Sequence, residues 1–310
     1  MKHRNKMKIR KLAAIDIGSN AMRLLINYVY EIPGETPVFN KTNLLRLPVR
    51  LGKDVFINKK ISNKNKDRML DAMTTFRLVM DLYGVKEYKA YATSAMREAE
   101  NGEEIIKKIK KKADINIEII DGQTEAELTF KSDLQKFFLD KRNYLYVDVG
   151  GGSTELTLLS NGEVIDSQSF RVGTVRMLEG KVDKNVYPEM KKWVEENVRK
   201  YEVDLIGSGG NINHIYKYSG IKLGKPMSGA YLRKRYRLVR DLSFEQRLIQ
   251  LNMKTDRADV VEHAMEIYIK VMKWSRSKKI YVPKVGIADG MIKTLYEKKF
   301  QKINSSKHLK

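Results

Sequence analysis

LAAIDIGSNAMRLLI, residues 12–26, has a counterpart in YLYVDVGGGSTELTLL, residues 144–159. Each stretch combines an apolar strand that ends in Asp, a glycine turn and a second strand. Asp16 aligns with Asp148 and Gly18 with Gly150, 132 positions apart. That spacing is far too long for a solenoid repeat. The sequence therefore predicts two copies of one domain, as expected for 310 residues at roughly 150 per domain.

The residues after each copy predict the same order of elements, βββαβα. Ser62 is a candidate N-cap for a helix whose apolar stripe runs from Met69 to Tyr83 at spacings of three and four. In the second copy, Asn161-Gly162 joins two predicted strands as a tight hairpin. This order predicts an α/β fold with two mixed sheets and a cleft between them. We expect domain I at residues 1–133 and domain II at 134–310, with a last helix at about 288–300 packing back on domain I.

The net charge points to an anionic partner. Sixty Lys and Arg against 38 Asp and Glu give +22, which suits nucleic acid, an anionic membrane or a phosphate-rich substrate. The Lys-rich stretches can equally be solvated surface. YLRKRYRLVR, residues 231–240, interleaves Tyr with cations as single-stranded nucleic acid binders do, but no recognised nucleic-acid signature accompanies it. We therefore do not expect nucleic acid as the partner.

Composition excludes several other classes. The chain has no Cys, which rules out disulfides and thiol nucleophiles, and its four scattered His disfavour a His-ligated metal. No apolar run reaches the length of a membrane helix. We expect a cytoplasmic protein without a membrane partner.

Three glycine loops suit a phosphate group: DIGSN (16–20), DVGGGSTE (148–155) and GSGGN (207–211). Glycines let backbone N–H groups converge on an oxyanion, and the third loop precedes a predicted helix whose N-terminus favours anions. A tight turn is the alternative for any single loop. The Walker loop, the dinucleotide fingerprint and the hydrolase elbow are absent from the sequence. This leaves the duplicated ribonuclease H-like fold shared by actin, sugar kinases and Hsp70.

Six motifs follow one another in the order and spacing of a known family. They are AAIDIGSNAMRLLI (13–26), YATSAMREAENGEEII (91–106), IEIIDGQTEAELTF (117–130), YVDVGGGSTELTLL (146–159), FRVGTVRM (170–177) and LIGSGGNINHI (205–215). Together they resemble the exopolyphosphatase/guanosine pentaphosphate phosphohydrolase (Ppx/GppA) family over about residues 12–220. The resemblance implies a duplicated actin-like fold and Mg²⁺-dependent hydrolysis of terminal phosphates from polyphosphate or pppGpp.

The resemblance also implies roles for single residues. Glu125 matches the catalytic glutamate that activates water, and Arg97 matches a basic phosphate contact. Asp148 and Glu155 match acidic residues near the metal and the phosphate, and we expect Asp16, the counterpart of Asp148, to join them around Mg²⁺. The phosphate-loop positions are Ser19, Asn20, Gly151, Gly152, Ser153, Gly209 and Gly210.

Some positions depart from the family pattern. Thr124 stands where the family often has Glu, and Glu127 where it often has Arg. Glu127 either weakens phosphate affinity locally or faces solvent. Arg171 and Arg176 are either further phosphate contacts or strand-edge surface residues. The helical His-Asp domain of longer relatives has no counterpart in the sequence, so we expect a short, two-domain member.

The leading hypothesis is a Mg²⁺-dependent exopolyphosphatase that releases orthophosphate from the end of inorganic polyphosphate. A phosphohydrolase acting on pppGpp or another nucleotide 5′-phosphate differs from it only in substrate. Two hypotheses of a different kind are a non-catalytic polyanion-binding protein and an ATP-dependent kinase of the same fold. By family analogy we expect a homodimer.

Overall fold

The computed structural model describes residues 7–132 and 142–301. Within them, the first half forms a five-stranded sheet and five helices. The strands are β1 (Lys8–Ile17), β2 (Met22–Glu31), β3 (Val38–Leu47), β4 (Glu87–Ala92) and β5 (Glu118–Ile119). The helices are α1 (Leu51–Asn58), α2 (Asn63–Leu82), α3 (Ser94–Glu98), α4 (Gly102–Ala113) and α5 (Gly122–Phe130). The strand order is β3-β2-β1-β4-β5, with β1 antiparallel to β2 and parallel to β4.

The described part of the second half forms a six-stranded sheet and eight helices. The strands are β6 (Asn143–Val149), β7 (Thr154–Ser160), β8 (Glu163–Phe170), β9 (Val203–Ser208), β10 (Met227–Ser228) and β11 (Lys279–Tyr281). The helices are α6 (Thr174–Leu178), α7 (Val186–Trp193), α8 (Gly210–Lys217), α9 (Gly229–Asp241), α10 (Phe244–Gln250), α11 (Thr255–Ala258), α12 (Val261–Ser275) and α13 (Ile287–Tyr296). Helices α7 and α13 each continue as a five-residue π-helix, Val194–Val198 and Glu297–Gln301.

The two sheets repeat one topology. The second has the order β10-β11-β9-β6-β7-β8, so β8-β7-β6-β9-β11 corresponds to β3-β2-β1-β4-β5. The registers correspond as well: Asp16 lies opposite Arg23 on β2, and Asp148 lies opposite Glu155 on β7. The prediction of a duplicated α/β fold is confirmed.

Helix α2 shows how closely local sequence can specify an element. The Ser62 side chain accepts a hydrogen bond from the Asn65 backbone N–H, as expected of an N-cap. Met69, Met73, Phe76 and Met80 are all buried in the core of the first half. Gly84 follows with φ of +67°, a conformation that favours glycine.

Other helices differ from the sequence prediction. The sequence predicts one helix over about residues 257–276, but the chain forms α11 and α12 with a break at Asp259 and Val260. The break lets two acidic side chains reach the first half: Asp256 pairs with Arg46, and Asp259 pairs with Arg50 at 2.5 Å. The sequence also predicts a helix over about residues 123–138; α5 covers Gly122–Phe130, and residues 133–138 lie outside the described residues.

The last helix, α13, packs on the first sheet. It shares a buried apolar cluster with Leu12 and Ala14 of β1 and Leu128 of α5. Gly290 lies so close to the Leu128 carbonyl that a Cβ atom would overlap the oxygen. A residue with a side chain at this position would force α13 and α5 apart. In the described residues, no helix has the length and apolar character required to cross a membrane.

Candidate active site

The duplicated Asp-Gly turns face each other across a cleft of about 720 Å³ between the two halves. Nine of the twelve predicted site residues line it: Asp16, Ser19, Asn20, Glu125, Asp148, Gly151, Ser153, Gly209 and Gly210. The three that do not line it are Arg97, Gly152 and Glu155. The cleft lies at the carboxyl ends of β1 and β6, where open α/β sheets commonly bind ligands.

Glu125 is placed at the cleft by the start of α5. The Asp121 carboxylate caps this helix, accepting a hydrogen bond from the Thr124 backbone N–H at 2.8 Å. The Glu125 side chain is half-buried, and its Oε2 atom is shielded from solvent without a hydrogen-bond partner. Glu127, on the same helix, is exposed, which fits the second of the two alternatives given for it, that it faces solvent.

Three further carboxylates surround Glu125 and change its acidity. Burial raises the pKa of Glu125 well above its usual value, and the negative charges of Glu155, Asp148 and Asp16 raise it further. Burial also raises the pKa of Asp148 to about 6 and that of Glu155 to about 7. A carboxylate with a raised pKa is a stronger proton acceptor, as a general base near neutral pH requires.

Arg23 is a site residue that the sequence reasoning missed. Its Nη1 atom donates to Asp16 Oδ2 at 2.5 Å, and Asp16 is almost fully buried. The alignment that pairs Asp16 with Asp148 also pairs Arg23 with Glu155, so the sequence contained the signal. The first copy thus neutralises its aspartate with a cation, whereas the second places an acid at that position. The charge of Arg23 also lowers the pKa of Asp148, but its hydrogen bond goes to Asp16.

Two of the expected phosphate-loop glycines are also packing positions between the halves. A Cβ on Gly152 would lie 2.6 Å from the Phe56 ring, and one on Gly151 would lie 2.9 Å from the Ser19 Cβ. A Cβ on Gly173 would lie 2.6 Å from backbone atoms of both Gly151 and Gly152. Gly152 therefore packs against the first half and does not face the cleft.

The structure gives the three predicted arginines other surroundings. Arg97 is exposed on α3, and its Nη1 donates to the Ile120 carbonyl at 2.5 Å, just before α5 begins. Arg176 is 4% exposed and donates to Glu98 at 2.5 Å and to the Gly152 carbonyl at 2.8 Å. Arg176 is thus neither a phosphate contact nor a surface residue, but a buried tie between the halves. Arg171 is exposed and pairs with the same glutamate at 2.7 Å.

The third glycine loop leads into α8 at the cleft wall. Gly209 has φ of +115°, and a Cβ there would lie 2.8 Å from the Val149 carbonyl oxygen, so only glycine fits. Behind this loop, burial lowers the pKa of His214 to about 4, so its ring is neutral. The ring donates from Nε2 to the Leu251 carbonyl and accepts at Nδ1 from Arg257, each at 3.2 Å. This orients Arg257, a cation that lines the cleft and that the sequence reasoning did not identify.

The acidic side chains at the cleft are candidate ligands for a metal ion. Across residues 7–132 and 142–301, no three His, Cys, Asp or Glu side chains come together in a metal-ligating arrangement. Mg²⁺ needs no such cage, because it keeps several waters and usually takes one or two carboxylates plus phosphate oxygens of the substrate. Asp148 lines the cleft and supplies oxygen ligands, and a bound cation would lower its raised pKa. The donor set therefore fits Mg²⁺ held jointly with a phosphorylated substrate.

Residues 38–299 match the Ppx/GppA phosphatase family. The chain belongs to this family. The match extends beyond residue 220, where the sequence motifs weaken, and includes α13. The resemblance drawn from the six motifs is thereby confirmed.

Curated relatives cover parts of this Ppx/GppA chain. It is 37% identical over 216 residues to a bifunctional 3-dehydroquinate synthase/phosphatase of Fusobacterium nucleatum, covering 64% of the chain and 32% of that protein. It is 27% identical over 167 residues to exopolyphosphatase 1 of Mycobacterium tuberculosis, covering 54% of the chain and 47% of that protein. The chain thus spans about a third to a half of the length of these relatives.

Solved structures of Ppx/GppA proteins match over nearly the whole chain. An exopolyphosphatase from Cytophaga hutchinsonii has a TM-score of 0.78 and 26% identity, covering 93% of this chain and 98% of that one. The Aquifex aeolicus family member has a TM-score of 0.73 and 21% identity, covering 94% and 99%. The second likeness shows the fold alone, an α/β arrangement of two domains.

Proposed function

We propose that this chain is a phosphohydrolase of the exopolyphosphatase type, which releases orthophosphate from the end of inorganic polyphosphate. The observation that carries the proposal is the Glu125 carboxylate: it faces the cleft, its Oε2 atom has no partner, and its pKa is raised. One relative and one structural match that covers 93% of this chain are named exopolyphosphatases, which supports polyphosphate as the substrate class.

In this proposal, the glycine loops bind the terminal phosphate and Glu125 activates water. Gly151, Gly210 and Ser153 line the same cleft as Glu125, and their backbone N–H groups are the proposed donors to phosphate oxygens. The water oxygen forms a bond to the terminal phosphorus, and its proton passes to Glu125. The bridging P–O bond breaks, and the shortened chain leaves with the bridging oxygen. Arg257 stabilises the negative charge on the transferred group.

We propose Mg²⁺ as the cofactor, with Asp148 holding it from the cleft wall and Glu155, which does not line the cleft, acting through water. When bound, the ion neutralises part of the substrate charge and polarises phosphate oxygens. Arg23 already compensates Asp16, which leaves the acids of the second half to interact with the cation.

Glu125→Gln tests the role of Glu125 as a base. The amide keeps the shape of the side chain but cannot accept the proton, so orthophosphate release should fall by about 1,000-fold while polyphosphate binding is retained. Glu127→Gln is the matched control, because it makes the same change on the exposed side of the same helix. Full turnover by the Glu125 variant would contradict the proposal.

The second candidate substrate is a nucleotide such as pppGpp, favoured by one observation. Tyr218 lines the cleft with 40% of its surface exposed and lies beside the His214 ring, with the centroids 4.6 Å apart. An exposed ring of this kind can stack on a base. Parallel assays with polyphosphate and pppGpp, on the wild type and on Tyr218→Leu, distinguish the two: only a nucleotide substrate should lose affinity in the variant.

A further inference from the structure

Helix α9 presents an unusual concentration of positive charge to solvent. Leu232 and Val239 anchor the helix in the core. Away from the core it exposes four cations, here called the α9 basic face: Arg233, Lys234, Arg237 and Arg240. The function proposed above makes no use of them.

The α9 basic face differs from the other cationic helix, α4, in its ion pairs. Three of the five lysines of α4 are paired with acids: Lys108 with Glu104, Lys110 with Asp114 and Lys112 with Asp71. On α9, Arg240 contacts the neighbouring Asp241 at 3.3 Å. Among the residues that the structure describes, Arg233, Lys234 and Arg237 have no carboxylate within 4.0 Å. The charge of α4 is thus largely balanced, whereas that of α9 is available to an external anion.

Helix α9 reaches the rim of the cleft through Arg235, which is not one of the four cations of the α9 basic face. Lys217, at the end of α8, and the next residue, Tyr218, both line the cleft. The Tyr218 carbonyl accepts a hydrogen bond at 3.2 Å from Nη2 of Arg235, which belongs to α9. Lys254 lines the same wall. Within the described ranges neither lysine has a carboxylate partner, so cations continue from the cleft toward α9.

We propose that the α9 basic face holds the distal part of a polyphosphate chain whose terminal phosphate lies in the cleft. This inference rests on the proposed function. Polyphosphate fits because it is an extended anion that begins in a phosphate site and leaves along a row of cations. Single-stranded nucleic acid fits less well, because it stacks on a series of aromatic rings and α9 itself offers none that is free. On α9, the Tyr231 hydroxyl accepts a hydrogen bond from Arg235 Nε at 2.9 Å, and the guanidinium lies 5.6 Å from the centroid of the Tyr231 ring. Tyr236 packs against the core.

The test compares two triple variants that remove the same charge. Arg233→Gln/Lys234→Gln/Arg237→Gln neutralises the α9 basic face, and Lys108→Gln/Lys110→Gln/Lys112→Gln removes three charges from α4. Kinetics are measured on tripolyphosphate and on long-chain polyphosphate over a range of salt concentrations. Binding of the long chain is measured separately in each triple variant combined with Glu125→Gln.

The α9 variant should raise KM for the long chain about tenfold, as the loss of three exposed charge contacts predicts. Its KM should also depend less on salt, while kcat/KM for tripolyphosphate changes less than twofold. Equal KM values for wild type and α9 variant, or an equal rise in the α4 variant, would overturn the inference. Loss of single-stranded RNA binding in the α9 variant with unchanged polyphosphate KM would overturn it in favour of nucleic acid. Absence of turnover by the wild type contradicts the proposed function, and the binding measurement then decides the inference alone.

Discussion

Gly122→Ala is expected to disable the site without unfolding the protein. Gly122 is the first residue of α5, three positions before Glu125, and it touches β8. A Cβ there would lie 2.6 Å from both the Cβ and the Oγ of Ser169. The backbone at Gly122 is helical, so alanine is tolerated locally and even favours the helix by up to about 1 kcal/mol. Any loss must therefore come from the contact with Ser169.

The size of the effect follows from the geometry. Carbon atoms in contact prefer separations of about 3.5–4.0 Å, so the start of α5 must move by about 1 Å. Overpacking of this kind costs about 1–3 kcal/mol, part of which the helix propensity of alanine offsets. A displacement of about 1 Å in a catalytic group costs about 100-fold in rate. We expect kcat to fall by about 100-fold and the free energy of unfolding by about 1–2 kcal/mol.

The assay is a double-mutant cycle with Ser169→Gly, which removes both clashing atoms. Ser169→Gly alone is the control, because it also removes the 3.0 Å hydrogen bond from Ser169 Oγ to Glu155 Oε1. The double variant should recover at least tenfold in kcat over Gly122→Ala. Ser169→Ala should not rescue, because its Cβ remains. Additive losses in the Gly122→Ala/Ser169→Gly variant would refute the steric explanation.

Two further predictions concern the buried charges. Because burial raises the pKa of Glu155 to about 7 and that of Asp148 to about 6, the folded protein binds more protons than the unfolded chain between about pH 4 and 7. The free energy of unfolding contributed by these groups therefore falls as pH rises through that window. Urea titrations at pH 5 and 7.5 measure this fall, and Glu155→Gln should make it smaller. An equal fall in the variant and the wild type would contradict the prediction. Arg176→Gln should lower the free energy of unfolding by about 3 kcal/mol, because it leaves Glu98 without its buried partner. Arg171→Gln, the exposed partner of the same glutamate, should lose less than about 1 kcal/mol, and equal losses would count against the assignment of Arg176 as a buried tie.

Local patterns predicted much of the fold. The stripe from Met69 to Met80 and the Ser62 cap are determined by neighbours within one helix, so periodicity identified them. The duplication was equally accessible, because Asp16 and Asp148 follow the same strand pattern. The break between α11 and α12 was not, because the partners of Asp256 are more than 200 positions away.

The site was only partly predictable for a similar reason. Glu125 alone would read as an exposed helical residue, and only the family motif singled it out. Its environment depends on Glu155 and Asp148, which lie on the other sheet and are not adjacent in sequence. For Arg176, its position close to a phosphate motif suggested a phosphate contact. It instead forms a buried ion pair with Glu98, which belongs to the opposite half and is remote in sequence.

The contact between Gly290 and Leu128 affects how the protein is made. A ribosome adds residues in order, so Gly122–Phe130 is complete long before Ile287–Tyr296 exists, at roughly 5–20 residues per second. During that interval the apolar face of α5 that α13 covers has no partner from α13. The nascent chain therefore carries a first half whose apolar surface stays uncovered until α13 is made. Any activity that depends on the position of Glu125 should therefore begin only after α13 has left the ribosome and has packed on α5.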